Sequence, residues 1–278
     1  MVRYIALALA LLGAIGICAG VGGFADAQFL WILPLSFLGV FIGLAAAFFL
    51  TLWIATLFVD TDKVQEKDNR FYRFLVHTTA RLVPWILRMR VQARGLEQIP
   101  KDGRFLLVCN HLSLLDPVML LAYFRKSQLA FISKRENQTM FVIGPMMHML
   151  LCQLINREND REALKTILKC IQILKEDKAS IAVFPEGGIL SEDGKLHHFR
   201  PGVFKIAQKA NVPIVVCTLK NTLNVVKNIK SLKPSHVEMN VLEVIPAEEL
   251  KGVTTVDIAH RCYELMAADL GPDLIAEE

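Results

Sequence analysis

The sequence predicts an α/β domain with a mostly parallel central sheet flanked by helices, preceded by an N-terminal transmembrane helical hairpin. From residue 91 onward, short apolar segments bounded by turn residues alternate with helical patterns, which is typical of an α/β sandwich. Before that point lie two apolar runs that are each long enough to cross a bilayer. We therefore expect a membrane hairpin over residues 1–59, an amphipathic basic membrane-surface helix region over residues 60–90, and the α/β domain over residues 91–278.

The hairpin is indicated by composition and by length. Hydrophobic residues make up 53% of the chain, and its mean hydropathy of +0.40 is too high for an ordinary soluble domain. The runs from Tyr4 to Phe24 and from Phe29 to Val59 both exceed the roughly 18 to 20 residues that a membrane helix needs. Only residues 25–28 separate them, which leaves room for a tight connection.

The distribution of basic residues predicts the orientation of this hairpin. Basic residues flank the two runs on their outer sides, and the connection between the runs has none: Arg3, Lys63, Lys67, Arg70 and Arg73. The positive-inside rule therefore places both flanks in the cytoplasm, with the α/β domain on the cytoplasmic side of the cell membrane. A cleaved signal peptide is the alternative, since Ala25-Asp26-Ala27 resembles a cleavage site. The length of the first run and the second run directly after it favour a retained hairpin.

The segment from Asp68 to Arg88 predicts an amphipathic helix. Apolar residues repeat at helical spacing with arginines elsewhere on the cylinder: Phe71, Phe74, Leu75, Leu82, Trp85 and Ile86. Such a helix either lies on an anionic membrane surface or covers the sheet, and the two interpretations are compatible. Pro84 predicts a kink or a break into two helices.

The elements of the α/β domain follow in order along the chain. The predicted strands are short apolar runs: Val91–Ala93, Phe105–Cys109, Leu129–Ser133, Ile181–Phe184, Ile214–Thr218 and Val237–Val244. The predicted helices show helical periodicity: Pro117–Tyr123, Asp160–Lys175, Gly202–Lys209 and Asp257–Leu270. The methionine-rich segment from Thr139 to Leu151 is interrupted by Gly144-Pro145 and predicts either core packing or the wall of an acyl tunnel.

A histidine and a carboxylate lie where the second predicted strand gives way to a helix. Asn110-His111 follows the strand, and Asp116-Pro117 opens the helix, because proline suits a first helical turn. Residues five apart on a regular helix are separated by about 140°, so the two side chains meet only across a turn. There the imidazole can take a proton from a bound hydroxyl, while the carboxylate fixes its tautomer and stabilises the imidazolium.

A second motif follows the strand that starts at Ile181. The sequence Pro185-Glu186-Gly187-Gly188 is a turn whose glycines let a substrate approach the backbone and leave amide donors free. The chain between the two motifs has room for the βα units that would make their strands neighbours in one sheet. Both motifs then lie at the carboxyl ends of strands, where open α/β sheets bind ligands.

These motifs resemble the glycerolipid acyltransferase family, specifically the 1-acyl-glycerol-3-phosphate acyltransferases. Four blocks match in order, over roughly residues 85 to 225: Asn110-His111 through Asp116; Lys134 with Ile155-Asn156-Arg157; Phe184-Pro185-Glu186-Gly187 with Phe199-Arg200-Pro201-Gly202; and Val212-Pro213-Ile214-Val215. The resemblance implies transfer of a fatty acyl group from a thioester to the free sn-2 hydroxyl of lysophosphatidic acid, which gives phosphatidic acid in phospholipid biosynthesis. It implies His111 as general base, Asp116 as the residue that orients it, and no acyl-enzyme.

The resemblance also implies the partners of the reaction. The donor is either a coenzyme A thioester or an acyl-carrier-protein thioester, and no further cofactor and no metal is expected. The chain works on an anionic membrane surface and does not bind nucleic acid. Donors for the oxyanion are backbone amides near Gly187-Gly188 or at the helix start after Asp116, and the sequence leaves that choice open.

Six residues are expected to bind substrate: Asn110, Lys134, Arg157, Glu186, Gly187 and Gly188. Glu186 either binds the glycerol of the acceptor or accepts hydrogen bonds from backbone amides. One departure concerns the acceptor's phosphate, because the family's third block continues with threonine and arginine where this chain has Gly188 and Ile189. Other cations could replace the arginine: Lys134, Arg135, Arg157, Lys195, His197, His198, Arg200 and Lys205. Arg157 is the first choice, assisted by Lys134, since an arginine fork suits phosphate.

Other functions stay open at this point. A metal-dependent hydrolase would use His111, Asp116, His197 and His198, although adjacent histidines point in different directions. A non-catalytic lipid-binding protein of the same fold, or an acyltransferase for a lysolipid without phosphate, is compatible with the altered third block. Ser113 lacks the GxSxG frame of a hydrolase nucleophile. The six cysteines form no CxxC pair, which favours reduced, buried thiols.

Overall fold

The computed structural model describes residues 2–24, 27–189, 194–231 and 233–276. The chain forms two compact units, Met1–Asp60 and Thr61–Glu278. The predicted surface region over residues 60–90 therefore belongs to the same unit as the α/β domain. Ala25 and Asp26 of the predicted connection lie outside the described residues.

The N-terminal unit consists of two apolar helices, α1 (Val2–Gly20) and α2 (Phe29–Leu57). They are antiparallel neighbours, since a Cβ on Gly13 would lie 3.2 Å from a methyl group of Val40 and one on Gly23 would lie 3.1 Å from Ile32. Both helices are long and apolar enough to cross a membrane. With 29 residues, α2 is about 43 Å long, more than a bilayer core of about 30 Å requires.

The second unit contains a seven-stranded sheet in the order β1-β7-β6-β2-β5-β3-β4. The strands are β1 (Met89–Arg94), β2 (Leu106–Cys109), β3 (Leu129–Lys134), β4 (Gln153–Ile155), β5 (Ser180–Val183), β6 (Ile214–Lys220) and β7 (Ser235–Ile245). All neighbouring strands are parallel except β6 and β7. The predicted α/β fold with a mostly parallel sheet is confirmed.

Helices cover both faces of this sheet. They are α3 (Arg70–Ile86), α4 (Asp116–Tyr123), α5 (Ile143–Met149), α6 (Asp160–Lys175), α7 (Lys205–Ala210), α8 (Thr222–Lys227) and α9 (Thr255–Leu270). Along β2, Leu106 and Val108 pack in the core that includes residues of α6, α7 and α9, whereas Leu107 and Cys109 pack in the core that includes α4. A strand buried on both faces explains the continuous apolar run that marked β2 in the sequence.

Helix α3 forms part of the second unit and is tied to the sheet by a buried arginine. Arg73 forms an ion pair with Asp68 (Nη2 to Oδ1, 2.6 Å) and donates to the carbonyl oxygen of Leu129 at 2.5 Å. Arg73 therefore lies on the side of α3 that covers the sheet, and its charge is neutralised inside the protein. Pro84 lies in the last turn and does not divide the helix in two.

The other side of α3 is exposed and apolar. Four large hydrophobic side chains of this helix are open to solvent, namely Phe71, Phe74, Trp85 and Ile86. Arg70, Arg81 and Arg88 are exposed as well. The helix thus covers the sheet with one side and presents a mixed apolar and basic surface with the other.

Two local predictions need correction. Gly144-Pro145 does not interrupt α5 but lies in its first turn, where proline costs no helical hydrogen bond and a Cβ on Gly144 would overlap the carbonyl of Gln138. The helix predicted over Gly202–Lys209 begins as a 3-10 helix, Pro201–Phe204, before α7.

Candidate active site

The two motifs meet at the carboxyl ends of neighbouring strands. Strands β2 and β5 are paired in parallel, with Val108 opposite Val183. The loop that begins at Asn110 and the turn that begins at Phe184 therefore leave the same edge of the sheet side by side. This confirms the predicted neighbourhood of the two strands.

A contact between His111 and Asp116 forms the centre of the site. The Nδ1 atom of His111 lies 2.9 Å from Oδ2 of Asp116. Asp116 is fully buried, whereas the His111 side chain is 14% exposed. Because an ionised carboxylate only accepts, Nδ1 carries the proton of this hydrogen bond. The neutral imidazole then has Nε2 as its basic nitrogen, which has no hydrogen-bond partner among the described residues.

The carboxylate of Asp116 is held by further donors. Its Oδ2 atom accepts from the backbone amides of Leu112 and Ser113 at 2.6 and 2.7 Å, and its Oδ1 atom accepts from the hydroxyl of Thr222 at 2.5 Å. Both oxygens of the buried carboxylate therefore have hydrogen-bond donors. The turn places the carboxylate of Asp116 beside His111, and the hydrogen bonds that this carboxylate accepts from the amides of the turn stabilise the turn itself.

Thr222 is a residue that sequence reasoning missed. It is fully buried at the start of α8, a helix that was not predicted, and lies 106 residues from Asp116 in the chain. The only signal for Thr222 in the sequence is its position just after the strand of the fourth block. That position does not indicate that its hydroxyl would bond to Asp116.

The aromatic ring of Phe184 fixes the plane of the imidazole. The two rings stack with centroids 4.0 Å apart and an angle of 16° between their planes. The phenylalanine that begins the second motif thus orients the proposed base from the neighbouring strand.

Glu186 joins the two motifs through backbone hydrogen bonds. The side chain is buried, at 2% exposure. Its Oε1 accepts from the amide of His111 at 2.7 Å, and its Oε2 accepts from the amide of His197 at 3.0 Å. This geometry matches the second of the two roles considered for Glu186, that of a structural acceptor.

Asn110 also has a structural role, in place of the predicted contact with substrate. Its side chain is fully buried. The side-chain NH₂ group donates to the backbone carbonyl of Leu219 at 2.9 Å, and the side-chain oxygen accepts from the backbone amide of Leu219 at 2.8 Å. Both polar atoms of the side chain are thereby used to hold the end of β2 against β6.

Three cations gather around the two glycines of the second motif. A Cβ on Gly187 would lie 2.8 Å from Nε of Arg200, and one on Gly188 would lie 3.0 Å from Nη1 of Arg157 and 3.7 Å from Cε of Lys134. Burial lowers the pKa of Arg157, and the charge of Arg200 lowers that pKa further. Within residues 2–24, 27–189, 194–231 and 233–276, no carboxylate forms an ion pair with any of these cations. The structure thus brings four of the predicted substrate-binding residues together, Lys134, Arg157, Gly187 and Gly188, and adds Arg200.

Other polar groups near the motifs are engaged elsewhere. Arg135 lies 3.5 Å from a carboxylate oxygen of Glu162 on the surface, and the ring of His198 stacks on Tyr263. The described part of the chain contains no group of three His, Cys, Asp or Glu residues placed to hold a metal ion. The hydroxyl of Ser113 is buried, accepts from the amide of Leu115 at 3.2 Å and donates to Oδ1 of Asp116 at 3.4 Å, so it belongs to the network that holds this carboxylate.

The backbone amides suggested for an oxyanion site differ in availability. The amide of Gly187 donates to the carbonyl of Phe184 at 3.0 Å, and that of Met119, at the helix start after Asp116, donates to the carbonyl of Leu115 at 2.8 Å. The amide of Gly188 has no acceptor among the described residues. Of the two glycine amides, that of Gly188 is therefore the one available to an oxyanion.

The chain is similar to known acyltransferases. The model of the family described as "Acyltransferase" matches residues 90–220. A probable 1-acyl-sn-glycerol-3-phosphate acyltransferase of Mycoplasma pneumoniae is 32% identical over 59% of this chain and 61% of its own length. A chloroplastic 1-acyl-sn-glycerol-3-phosphate acyltransferase of Brassica napus is 36% identical over 48% of this chain. The match spans 38% of the Brassica protein, so the chain covers less than two thirds of either relative.

The fold is also found in a solved structure. The crystal structure of the 1-acyl-sn-glycerophosphate acyltransferase PlsC from Thermotoga maritima superposes with a TM-score of 0.62, over 79% of this chain and 86% of that chain. The two sequences are 21% identical, so this likeness concerns the fold.

Proposed function

Residues 90–220 belong to the acyltransferase family, and from this premise we propose that the chain is a membrane-bound lysophosphatidic acid acyltransferase. It transfers a fatty acyl group from a thioester to the sn-2 hydroxyl of 1-acyl-glycerol-3-phosphate and produces phosphatidic acid. The observation that carries this proposal is the contact between Nδ1 of His111 and the buried carboxylate of Asp116. The names of the curated relatives support the choice of reaction.

In the proposed mechanism, His111 acts as a general base through Nε2. It removes the proton of the acceptor hydroxyl as the hydroxyl oxygen attacks the thioester carbonyl. When the tetrahedral intermediate collapses, the carbon–sulfur bond breaks and the imidazolium gives its proton to the departing thiolate. Asp116 keeps the imidazole in the required tautomer and stabilises the imidazolium. The amide of Gly188 is the proposed donor to the oxyanion.

The acceptor and the donor follow from the charges around the site. Arg157, assisted by Lys134, is proposed to bind the phosphate of the acceptor, because guanidinium groups bind phosphate with two parallel hydrogen bonds. The donor is a thioester of coenzyme A or of acyl carrier protein, and both are anionic. Among the functions considered, acylation of a lysolipid without phosphate is disfavoured by this cluster of cations, which forms no ion pair with a carboxylate in the described part of the chain.

The membrane is proposed as the place of reaction. Helices α1 and α2 would anchor the chain as a retained hairpin, with the α/β domain on the cytoplasmic side. The exposed aromatic and basic side chains of α3 would add contact with an anionic membrane surface. A substrate with one acyl chain is itself held in such a surface, so anchoring brings the base close to it.

A panel of acceptors tests this proposal. The full-length protein in detergent is incubated with radiolabelled acyl-coenzyme A, or with acyl-acyl carrier protein, and with lysophosphatidic acid, other lysophospholipids or monoacylglycerol. Chromatography of the lipids should show labelled phosphatidic acid as the main product. Labelled product from other acceptors only would overturn the choice of acceptor, and release of free fatty acid without any acylated lipid would overturn the transferase.

A further inference from the structure

The second motif departs from its family at two adjacent positions. The family's third block carries threonine and arginine where this chain has Gly188 and Ile189. The Ile189 side chain is partly exposed and brings no charge. Yet the chain has a cation on each side of the glycine turn, with Arg200 next to Gly187 and Arg157 next to Gly188.

We propose that Arg200 joins Arg157 in holding the phosphate of the acceptor, and that this pair replaces the arginine missing at position 189. The inference rests on the proposed function, because it assigns a residue to the acceptor site of that reaction. It differs from the sequence-based expectation, in which Arg157 is the principal replacement and Lys134 assists.

The first support is the position of Arg200. Its backbone amide donates to the carbonyl of Pro185 at 2.9 Å, which fixes this residue to the turn itself. Its guanidinium lies so close to Gly187 that a Cβ there would be 2.8 Å from Nε. Gly187 also has a φ angle of +89°, a conformation that suits glycine. A residue without a side chain therefore lets the arginine lie directly against the backbone of the turn.

The second support is the space that Gly188 leaves for Arg157. A Cβ at this position would be 3.0 Å from Nη1 of Arg157, so a side chain here would displace the guanidinium by a few tenths of an ångström. Without one, the guanidinium of Arg157 lies directly against the turn on one side, as that of Arg200 does on the other. Two guanidinium groups therefore stay beside the turn in a chain that has no arginine at position 189.

The third support is electrostatic. Two guanidinium groups close enough for Arg200 to lower the pKa of Arg157 repel each other. Among the residues that the structure describes, neither forms an ion pair with a carboxylate, although the charge of Glu136 acts on Arg157 from a greater distance and raises its pKa. A phosphate dianion between them would remove this repulsion and accept hydrogen bonds from both forks.

Kinetics with two acceptors test the inference. We compare the wild-type chain with Arg200→Ala and Arg200→Lys, using lysophosphatidic acid and a monoacylglycerol that lacks the phosphate. Arg200→Ala should raise the KM for lysophosphatidic acid about tenfold to a hundredfold, as expected for a lost charge-assisted contact. Arg200→Lys should recover part of that loss. The values for monoacylglycerol and for the acyl donor should stay within about twofold.

A second substitution tests the replacement itself. Adding Ile189→Arg to Arg200→Ala should restore most of the affinity for lysophosphatidic acid, since it returns a guanidinium to the position where the family carries one. Arg90→Ala is the matched control, because Arg90 is exposed on β1, which is separated from β2 by β7 and β6. This control should leave both acceptors unchanged.

The outcomes separate the inference from the proposed function. If Arg200→Ala raises the KM for both acceptors equally, or if Ile189→Arg restores nothing, Arg200 does not hold the phosphate and the inference fails while the transferase stands. If the wild-type protein acylates no lysolipid, calorimetric titration with glycerol 3-phosphate still tests the site. Binding that weakens in Arg200→Ala would support the anion site, and binding equal to wild type would refute it.

Discussion

Replacing Asp116 with asparagine separates the charge of this residue from its geometry. Oδ2 of Asp116 faces three N–H donors, those of Leu112, Ser113 and His111, whereas Oδ1 faces the hydroxyl of Thr222. In Asp116→Asn, the remaining oxygen should take the place of Oδ2, and the NH₂ group should take the place of Oδ1. The hydroxyl of Thr222 can rotate and accept from it. The imidazole thus keeps its orientation and its tautomer, and only the negative charge is lost.

The size of the effect follows from that charge. An imidazolium and a carboxylate with charge centres about 4 Å apart interact by about 4 kcal/mol at an effective dielectric constant near 20. If the transition state carries most of this charge pair, the loss corresponds to about a thousandfold in kcat, since each 1.4 kcal/mol is about tenfold. From the sequence alone, Asp116→Asn could also be expected to select the wrong tautomer of His111. The hydroxyl of Thr222 removes that expectation, because it can accept from the NH₂ group and keep the oxygen of the substituted side chain directed at Nδ1 of His111.

The assay is steady-state transfer from acyl-coenzyme A to lysophosphatidic acid, with unfolding curves as a control for folding. Asp116→Asn should lower kcat about a thousandfold with little change in the KM for either substrate. The double variant Asp116→Asn/Thr222→Val should be worse, because the NH₂ group then keeps only the hydroxyl of Ser113, 3.4 Å from Oδ1, as an acceptor and can turn towards the N–H donors. Asp177→Asn, at an exposed carboxylate, serves as the matched control. A folded Asp116→Asn protein with nearly normal kcat would refute the reasoning.

Three further predictions concern stability and membrane contact. Glu186→Gln should lower the free energy of unfolding by about 1.5–3 kcal/mol, since one of two backbone N–H groups then faces an NH₂ group; an unchanged denaturant midpoint would contradict this. Arg73→Leu leaves the buried carboxylate of Asp68 unpaired and should lower the free energy of unfolding by about 3–5 kcal/mol. Arg70→Leu, at an exposed arginine, should leave it almost unchanged, and equal losses in the two variants would refute a buried ion pair between Arg73 and Asp68. Protein without residues 1–58 should sediment with anionic vesicles at low salt and detach at high salt through α3; indifference at low salt would show that α3 only covers the sheet.

The fold and the contact between His111 and Asp116 could be predicted because their signals are local. Periodicity and turn residues placed strands β2 and β5, and a five-residue spacing across a strand–helix junction placed Asp116 beside His111. The three residues of β4 are too few for a periodic signal. The contact of Thr222 with Asp116 depends on how β6 and β2 pair, which no local pattern reveals.

The roles of polar residues were harder to predict than their location. Asn110 is of a residue type that often binds ligands, but its side-chain amide bonds to the backbone of Leu219 and holds the end of β2 against β6. The arginines of α3 are alike in sequence, and only tertiary structure shows that Arg73 is inside. Arg200 was one of eight candidate cations, and its proximity to Gly187 became evident only from the folded turn.

The central claim is that His111 acts as the general base of acyl transfer, and one measurement tests it most directly. We compare the turnover of full-length wild-type and His111→Ala proteins with lysophosphatidic acid and acyl-coenzyme A, after the same unfolding curve has been shown for both. Removal of a general base should lower kcat about 10² to 10⁴-fold and leave the free energy of unfolding nearly unchanged. A folded His111→Ala protein that still forms phosphatidic acid at nearly the wild-type rate would contradict the account.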